Sequence, residues 1–514
     1  MILFGLTQSF FFRSAEVFQV PVRELNARNA EAETEFNKDY ALSMANRKYG
    51  EQYSHIYYSR LTKKRPAVYA QGKAAWNGLK MGGEEVKYSL KVLDVGNNSI
   101  SWVVGTIYRD MKLKPSILEE ITASHFGAPP PPPKKYTDGE SDEVFLEDES
   151  GRVKLVGDLI TGSDSKKKLV LMTGCVVAVM GSELASGDFN VLDIRFLEYA
   201  PQAPLPSPNE DGKPRYLALV SGLSLRGSSY EGYHLQLLKE YLIGELGGLD
   251  DQAESAHIVQ LIVAGNSLDA NDEEETAQVS SSISTAFLPS AAQLTEAGQK
   301  KKKAAETKYG YDSSQFHPEP MQHLDSFLAD IVSSVPVTIM PGDSDLANAT
   351  LPQQPIHHSL FPECNKLLKE ASECPAFETV TNPHWMTLAS GMTVLGTAGQ
   401  PTNDMYKYLP ETDVDRLDLL NQTLRWQHVA PTAPDTLAAY SFYEKDPFIL
   451  TQTPHIYFAG NQPYFDARLV EGTGDNGGQV QVRLVAIPKF SETGELVLIN
   501  LNSPTLETTT IKFA

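Results

Sequence analysis

The chain has 514 residues, 41% of them hydrophobic, which is enough for two or three ordinary domain cores. Its 65 acidic residues outnumber 44 lysines and arginines, and the resulting net charge of −21 disfavours autonomous, tight binding to a nucleic-acid backbone. The three cysteines, Cys175, Cys364 and Cys374, are too few and too scattered for a disulfide framework or a paired-cysteine zinc site, which favours a reducing compartment.

Residues 1–35 are interpreted as an N-terminal extension. The first twelve are largely apolar, but no basic stretch precedes them and no small-residue cleavage site follows. We therefore expect an irregular or mis-assigned N-terminus in preference to a signal peptide. No run of about 18 apolar residues occurs, so the sequence predicts no membrane-spanning helix.

A small β-barrel is predicted for residues 36–200. An Ala- and Glu-rich segment from Glu31 to Arg47 predicts a helix that leads into the segment QYSHIYYSRLTKKRPAV, after which the pattern changes to strands. Strands are predicted at Ser99–Tyr108, on both sides of a turn at Ser150-Gly151, at Leu169–Gly181 and around Leu192–Phe196. With one inserted helix at Lys114–Thr122, this number of short strands favours an OB-fold.

Two proline-rich stretches predict loops. Pro129–Pro133, inside an insertion near residues 127–138, indicates a solvated polyproline loop, with a ligand for an SH3-like groove as the less favoured interpretation. Residues 201–215 are predicted to be a linker, and we place the domain boundary there.

Residues 216–514 alternate short apolar strands with helical segments, as expected of a buried α/β sheet. Strands are predicted at Tyr216–Gly222, His257–Gly265 and Ser334–Gly342, and helices at Gly232–Leu246 and Met321–Ser334. Each strand ends in a glycine-bearing turn. Ligands of such sheets gather at the carboxyl ends of strands, so these turns are where a functional site is expected.

The segment near residues 269–315 is polar and low in complexity, which predicts a disordered insertion. Within it, Lys300–Lys303 is interpreted either as a nuclear-import signal or as a solvated charge run.

Long strings between Gln52 and Glu507 resemble those of one protein family, so that nearly the whole chain is covered. The strings are YSHIYYSRLTKKRPAV, SWVVGTIYRDMKLKPSILEEI, QLIVAGNSL, LPQQPIHHSLFP, TNPHW, LRWQHVAPTAPDTL, DPFILTQTPHIYFAGNQPYF and LVLINLNSPTLE. They are similar to the small B-subunits of eukaryotic B-family DNA polymerases, above all to those of DNA polymerase delta. The resemblance implies a multidomain α+β and α/β chain, in which an OB-fold precedes a calcineurin-like phosphoesterase sandwich.

The phosphoesterases that this sandwich resembles hold two divalent cations on strand-end motifs of the form Asp-x-His, Gly-Asp, Gly-Asn-His and Gly-His-x-His. Carboxylates in such a centre offset the charge of the cations. At the first motif this chain has Gly222 and Ser224, a hydrogen and a hydroxyl in place of a carboxylate and an imidazole. At the second motif Asn266 supplies an uncharged amide instead of the bridging carboxylate.

The third and fourth motifs are altered as well. Asp343 and Ser344 replace the amide and the imidazole of Gly-Asn-His, so the general acid is missing. Asn461 and Pro463 replace the two histidines of the last motif, and a proline side chain has no lone pair to donate. We interpret all seven positions as vestigial and predict no catalytic residue, no metal and no cofactor.

Other potential ligands remain in the sequence. Asp269, Asp343 and Asp345 are too few to hold two divalent cations. His428 is interpreted as a packed or hydrogen-bonded core residue rather than a ligand, because its metal partners are missing. The pair His357-His358 has no third ligand nearby in the sequence.

The resemblance implies a non-catalytic accessory subunit of a nuclear polymerase that acts in DNA replication and repair. Its expected partners are the cysteine-rich C-terminal domain of the catalytic subunit of DNA polymerase delta and a third subunit of that polymerase. Sharing with the catalytic subunit of a translesion polymerase is left open. DNA is expected to be contacted only weakly or through the complex, and no membrane is involved.

Trp385, Trp426, Phe361 and Tyr464 are candidate interface anchors, although each residue type is more often found in a core than at an interface hot spot. Two alternatives to the accessory-subunit interpretation stay open. One is an active metal-dependent phosphoesterase or 3′ nuclease. The other is an OB-fold that binds single-stranded DNA, for which the segment YYSRLTKKRP has a suitable mixture of aromatic and basic residues.

Overall fold

A computed structural model gives the structure of the chain. It describes residues 40–43, 47–48, 50–95, 99–114, 134–138, 141–161, 170–208, 212–226, 232–269, 318–370, 376–410 and 414–513. Sequence predictions that lie outside the described residues concern the N-terminal extension, most of the segments Glu31–Arg47 and Lys114–Thr122, the five prolines, Cys374, the insertion after Asp269 and Lys300–Lys303. Among the helices that are described, none is both long and apolar enough to cross a membrane.

The first part of the chain forms a long helix and a β-barrel. Its elements are α1 (Ser54–Trp76), β1 (Lys80–Met81), β2 (Glu84–Glu85), β3 (Lys87–Tyr88), β4 (Ser101–Asp110), β5 (Glu143–Glu147), β6 (Arg152–Val156), α2 (Asp158–Thr161), β7 (Val176–Glu183) and β8 (Phe189–Arg195). Strands β4, β5, β6, β8 and β7 are hydrogen-bonded in that order, and the pairing of β4 with β7 closes the barrel. This is the predicted OB-fold, and the predicted β5–β6 hairpin is confirmed.

Strand β4 is buried on both faces because it separates the barrel interior from α1. Its side chains alternate, so that Val103 and Ile107 pack inside the barrel while Trp102 and Val104 pack against the helix. The helix makes room for the Trp102 ring at Gly72, where a Cβ atom would lie 2.5 Å from the ring.

Helix α1 is an element that the sequence analysis did not predict. Its buried residues recur every fourth position, but Arg60 and Lys64 are among them, and two charged residues on the buried face obscure the amphipathic pattern. The helix was therefore missed for a physical reason, since a charge normally marks the solvent-facing side.

The second part of the chain is an α/β sandwich. Its elements are β9 (Tyr216–Val220), α3 (Tyr233–Ile243), α4 (Leu249–Ser255), β10 (Ile258–Ala264), α5 (Glu319–Val332), β11 (Val337–Met340), α6 (Pro362–Glu370), β12 (Phe377–Thr379), β13 (His384–Thr387), β14 (Thr393–Thr397), α7 (Gln400–Lys407), α8 (Arg416–Arg425), β15 (Ile456–Gln462), β16 (Asp466–Thr473), β17 (Gln479–Pro488), α9 (Phe490–Thr493), β18 (Glu495–Asn500) and β19 (Thr508–Lys512). The strands predicted as β9, β10 and β11 and the helices predicted as α3 and α5 are all present.

Two sheets stack face to face in this sandwich. One has the strand order β12-β11-β10-β9-β18-β19 and the other the order β13-β14-β15-β17-β16. Apolar side chains from both sheets, among them Leu219, Ile262, Phe458 and Val485, form a common core. Helices α3, α5 and α6 cover the first sheet, and α8 packs on the second.

The barrel and the sandwich share hydrophobic cores. Val103 and Ile107 of the barrel belong to the same buried cluster as Tyr408, Leu419 and Trp426 of the sandwich. The chain that connects the two parts also contacts the sandwich, because the backbone N–H of Thr453 donates to the carbonyl oxygen of Pro201 at 2.9 Å.

Candidate functional site: four strand-end turns

Four strand-end turns meet at one edge of the sandwich. Strands β9, β10 and β11 are parallel neighbours in the first sheet, so their carboxyl ends lie side by side. The backbone N–H of Gly222 donates to the carbonyl oxygen of Gly265 at 2.9 Å. Strand β15 of the second sheet joins them, since the N–H of Asn461 donates to Ser221 Oγ at 2.8 Å. The structure thus brings the turns that carry Gly222, Asn266 and Asn461 together.

The position of Gly222 has no room for a side chain. Its φ of +63° is a conformation that residues with a Cβ rarely adopt. A Cβ atom would lie 2.9 Å from Asn461 Oδ1 and 2.9 Å from Lys489 Cβ. The space in which a carboxylate would project from this turn is therefore filled by side chains of β15 and of the residue after β17.

The turn conformations are unusual for residues that carry side chains. Ser224, Asn266 and Asn461 have φ values of 50°, 55° and 55°, in the left-handed region. Hydrogen bonds hold them there: the N–H of Ser224 donates to the carbonyl oxygen of Asn266 at 3.2 Å, and Asn461 Nδ2 donates to that of Ala398 at 2.9 Å. The backbone keeps a shape suited to presenting ligands while the side chains bind neighbouring protein atoms.

Asp345 lies at the site but serves the backbone. Its carboxylate is buried and accepts hydrogen bonds from the N–H groups of Ser267 at 2.8 Å, Leu268 at 3.1 Å and Gly342 at 2.8 Å. Burial raises the pKa of Asp345 to about 6, and the hydrogen bonds from the backbone act in the lowering direction. This acid ties the turn after β10 to the turn after β11.

Ser344 is likewise engaged with protein atoms, whereas the side chain of Asp343 is exposed. Desolvation by the surrounding protein still raises the pKa of Asp343, opposed by a hydrogen bond from Gln400. Ser344 Oγ donates to the carbonyl oxygen of Leu268 at 2.6 Å, and the Ser344 N–H donates to Asn266 Oδ1 at 3.4 Å.

A cavity of about 530 Å³ opens above the turns. It is lined by Ser224, Arg226, Asn266, Leu268, Asp269, Ser344, Lys489, Ser491 and Glu492. Its charges are paired, because Arg226 Nε lies 2.6 Å from Asp269 Oδ2 and Lys489 Nζ lies 2.9 Å from Glu492 Oε1. In the described part of the chain, no three His, Cys, Asp or Glu side chains are grouped as a metal site would need.

The histidines named from the sequence lie elsewhere. His428 is buried, its Nε2 donates to Asp446 Oδ2 at 2.8 Å, and its Nδ1 accepts from the N–H of Ala430 at 3.2 Å. Burial, assisted by the nearby charge of Arg60, lowers the pKa of His428 to about 3, so the ring is neutral. His357 is exposed, and its Nδ1 contacts Ser359 Oγ at 2.7 Å.

Three of the candidate interface anchors are core residues. Trp385, Trp426 and Phe361 are buried, whereas Tyr464 is 53% exposed. Pro463 beside it is exposed at the end of β15.

Sequence reasoning missed the cations of the cavity and a buried polar network. Arg226 follows the predicted turn at Gly222 closely, and that proximity was the available signal, whereas Lys489 follows a strand that the sequence analysis did not predict. Arg60 and Lys64 of α1 lie in a series of every fourth residue, Ile56, Arg60, Lys64, Val68, Gly72 and Trp76, whose other members are apolar or glycine. Charges inside such a series are a signal of buried polar contacts.

Comparison with known families covers both parts of the chain. Residues 52–194 match the model described as the DNA polymerase delta subunit OB-fold domain. Residues 217–467 match the model that describes the B-subunit of DNA polymerases alpha and epsilon.

Curated relatives match along nearly their whole length. The DNA polymerase delta small subunit of Saccharomyces cerevisiae is 36% identical over 505 residues, which cover 93% of this chain and 93% of the relative. The protein of the same name from Oryza sativa subsp. japonica is 36% identical, with 93% of this chain and 97% of the relative covered. DNA polymerase delta subunit 2 of Drosophila melanogaster is 35% identical, with coverage of 88% and 92%.

Proposed function

Since the chain belongs to the family of DNA polymerase delta small subunits, we propose that it is a non-catalytic accessory subunit that holds a polymerase assembly together. Its proposed partners are the cysteine-rich C-terminal domain of a DNA polymerase delta catalytic subunit and a third subunit. The proposed setting is the nucleus, in replication and in repair synthesis.

One observation carries the non-catalytic part of the proposal. The four strand-end turns converge, but the side chains of Asn266, Ser344 and Asn461 bind protein atoms, and the cavity above the turns is lined mainly by hydroxyls, an amide and paired charges. A two-cation centre needs several unpaired carboxylates and imidazoles at this place. We therefore regard Gly222, Ser224, Asn266, Asp343, Ser344, Asn461 and Pro463 as vestigial positions.

The hydrophobic core that barrel and sandwich share supports a scaffold role. A partner that docks on both parts needs them in a constant relative position, because each mobile joint adds an entropic cost to binding. The shared core of Val103, Ile107, Tyr408 and Trp426 provides that constancy.

Autonomous binding of single-stranded DNA gains no support from the segment that suggested it. The basic and aromatic residues of YYSRLTKKRP lie in α1, outside the barrel strands. Arg60 and Lys64 are buried and donate to protein oxygen atoms, including those of Pro431 and Gln427, which leaves them inaccessible to phosphates.

Co-purification tests the accessory role. We expect this chain and a DNA polymerase delta catalytic subunit, co-expressed and run on size exclusion at micromolar concentration, to elute as one species. A catalytic subunit that lacks its cysteine-rich C-terminal domain is the control and should elute apart. Separate elution of the two full-length chains would contradict the proposal.

A nuclease assay tests the absence of catalysis. With Mn²⁺ and a 3′-labelled single strand, we expect no nucleotide release above the level of an Asp343→Ala variant. Release by the unaltered chain that the substitution abolishes would instead support an active 3′ nuclease.

A further inference from the structure

A groove of about 410 Å³ lies between helix α1 and the barrel. Its walls are mainly apolar and aromatic, formed by Tyr57, Tyr58 and Leu61 of the helix and by Ile107 and Tyr108 of β4. Tyr58 is 61% exposed. We call this feature the tyrosine groove.

The charged residues of the lining are acidic, and the others carry hydroxyl groups. Glu147, Asp148, Glu149 and Asp435 line the tyrosine groove, and none of the described residues that line it is a lysine or an arginine. Three of the acids belong to the β5–β6 hairpin region of the barrel. Asp435 belongs to the sandwich, so the groove is completed only where the two parts of the chain meet.

Some of these acids are already engaged from outside the groove. Glu149 pairs with Arg65 at 2.5 Å, and Asp435 pairs with Lys114. Glu147 has a weaker contact, since Arg152 Nη1 lies 3.9 Å from its Oε1 and most of the Arg152 side chain is exposed. Burial raises the pKa of Glu147, with the charge of Asp435 acting in the same direction, so a cation in the groove would relieve an unfavourable environment.

The chain itself shows how such a groove accommodates a cation. The ammonium of Lys114 lies 5.1 Å from the centre of the Tyr108 ring while it pairs with Asp435. An aromatic face and a carboxylate together favour a lysine or arginine, through cation–π attraction and charge-assisted hydrogen bonds. A volume of about 410 Å³ leaves space for one long basic side chain and an apolar neighbour.

We propose that the tyrosine groove binds a segment of a partner polypeptide in which a lysine or arginine stands next to an apolar side chain. This inference rests on the proposed accessory role, because it names the chemistry of one partner contact. The four carboxylates argue against a nucleic acid as the occupant, since phosphates would be repelled.

Photo-crosslinking in the assembled complex identifies the occupant. Tyr58 is replaced by p-benzoylphenylalanine in the full chain, which is co-expressed with the catalytic subunit, illuminated and analysed by mass spectrometry. We expect a crosslinked peptide from another subunit that contains a basic residue beside an apolar one. Tyr233, 65% exposed on α3, receives the same replacement as the control and should not capture that peptide.

Crosslinks from position 58 only to this chain, to nucleic acid or to a peptide without a basic residue would overturn the inference, as would no crosslink at all. A second measurement compares the affinity of variants for the catalytic subunit and any third subunit. We expect Tyr58→Ser combined with Glu147→Gln to weaken assembly at least tenfold, while Tyr233→Ser leaves it unchanged.

The two levels of inference fail in different ways. If the unaltered chain does not assemble with the catalytic subunit, the proposed function is wrong. If it assembles, but the groove variants assemble equally well and position 58 captures no basic peptide of a partner, only the tyrosine groove inference is wrong.

Discussion

At the scale of single residues, Asp345 shows that an acid at a strand-end site can be structural. Its two oxygens satisfy backbone N–H groups of two neighbouring turns, and a buried donor without an acceptor would be costly. An acid counted from the sequence as a potential ligand is thus committed to the backbone.

Replacing Asp345 with asparagine tests this interpretation. The amide keeps one acceptor oxygen but turns an N–H toward the N–H of Gly342, so we expect a loss of about 1–3 kcal/mol in the free energy of unfolding. Urea denaturation measures this loss in the free energy of unfolding. Asp330→Asn, at a half-exposed side chain, is the control, and equal stability of the two variants would contradict the structural role.

The lowered pKa of Lys64 leads us to expect that the free energy of unfolding depends on pH. Burial, followed by the charge of Arg60, lowers its pKa from 10.5 to about 7. Between these two values the unfolded chain binds more protons at Lys64 than the folded chain does. Stability from this residue therefore rises with pH across the window, by at most about 1.4 kcal/mol per unit, and this contribution is lost as pH falls from 10.5 to about 7.

Urea midpoints at pH 7, 8 and 9 measure this contribution. We expect Lys64→Met to flatten the dependence on pH relative to the unaltered chain. Lys63→Met, at the exposed neighbouring position on the same helix, should retain the slope. An unchanged slope in Lys64→Met would show that this lysine does not titrate in the window.

At the scale of elements, helix α1 connects the barrel to the sandwich through a buried charge. Arg60 lies 2.7 Å from Asp446 Oδ2 and donates to the carbonyl oxygens of Pro431 and Ala433, each at 2.8 Å. The arginine and the aspartate are both fully buried, and charge assistance strengthens each hydrogen bond.

Two arginines on this helix provide a matched pair of substitutions. Arg60→Met leaves the buried Asp446 without its cation, and we expect a loss of about 3–5 kcal/mol in unfolding free energy. Arg65→Met breaks the partly exposed pair with Glu149 and should cost less than about 1 kcal/mol. Denaturant unfolding of both variants measures these two losses in unfolding free energy. Losses of similar size would contradict the connecting role of Arg60.

At the scale of the whole molecule, the shared cores predict that barrel and sandwich unfold together. Trp102 reports on the barrel side and Trp385 on the sandwich. We compare two variants, each of which keeps only one of the four tryptophans, either Trp102 or Trp385. We expect the thermal transitions followed by the fluorescence of the two variants to coincide. A barrel signal that melts before the sandwich signal would show that the two parts are independent.

Much of this fold could be predicted from local pattern. The β-branched and aromatic residues of β4 and the apolar runs of β9, β10 and β11 identify strands, and the amphipathic spacing of α5 identifies a helix, because each signal is complete within about fifteen residues. Helix α1 was not predicted, because Arg60 and Lys64 interrupt the apolar pattern of its buried face.

The position of the candidate site could be predicted from the sequence, but the contacts that its side chains make could be predicted only in part. Glycine-bearing turns after three predicted strands marked where Gly222, Asn266 and Asp343 would meet. The filling of the space beside Gly222 by Asn461 and Lys489 could not be read from the chain, since these residues come together only when β15 and β17 stack on the first sheet.

The sequence by itself determined the order of the elements, the place of the strand-end turns and the side-chain types found there, because periodicity and turn chemistry act between neighbours along the chain. Tertiary structure alone decided which charges are buried and what they face. Arg60 meets Asp446 across 386 positions of sequence, and the tyrosine groove needs Asp435 from the sandwich beside Tyr108 from the barrel. Such partners are chosen by packing, which no local pattern encodes.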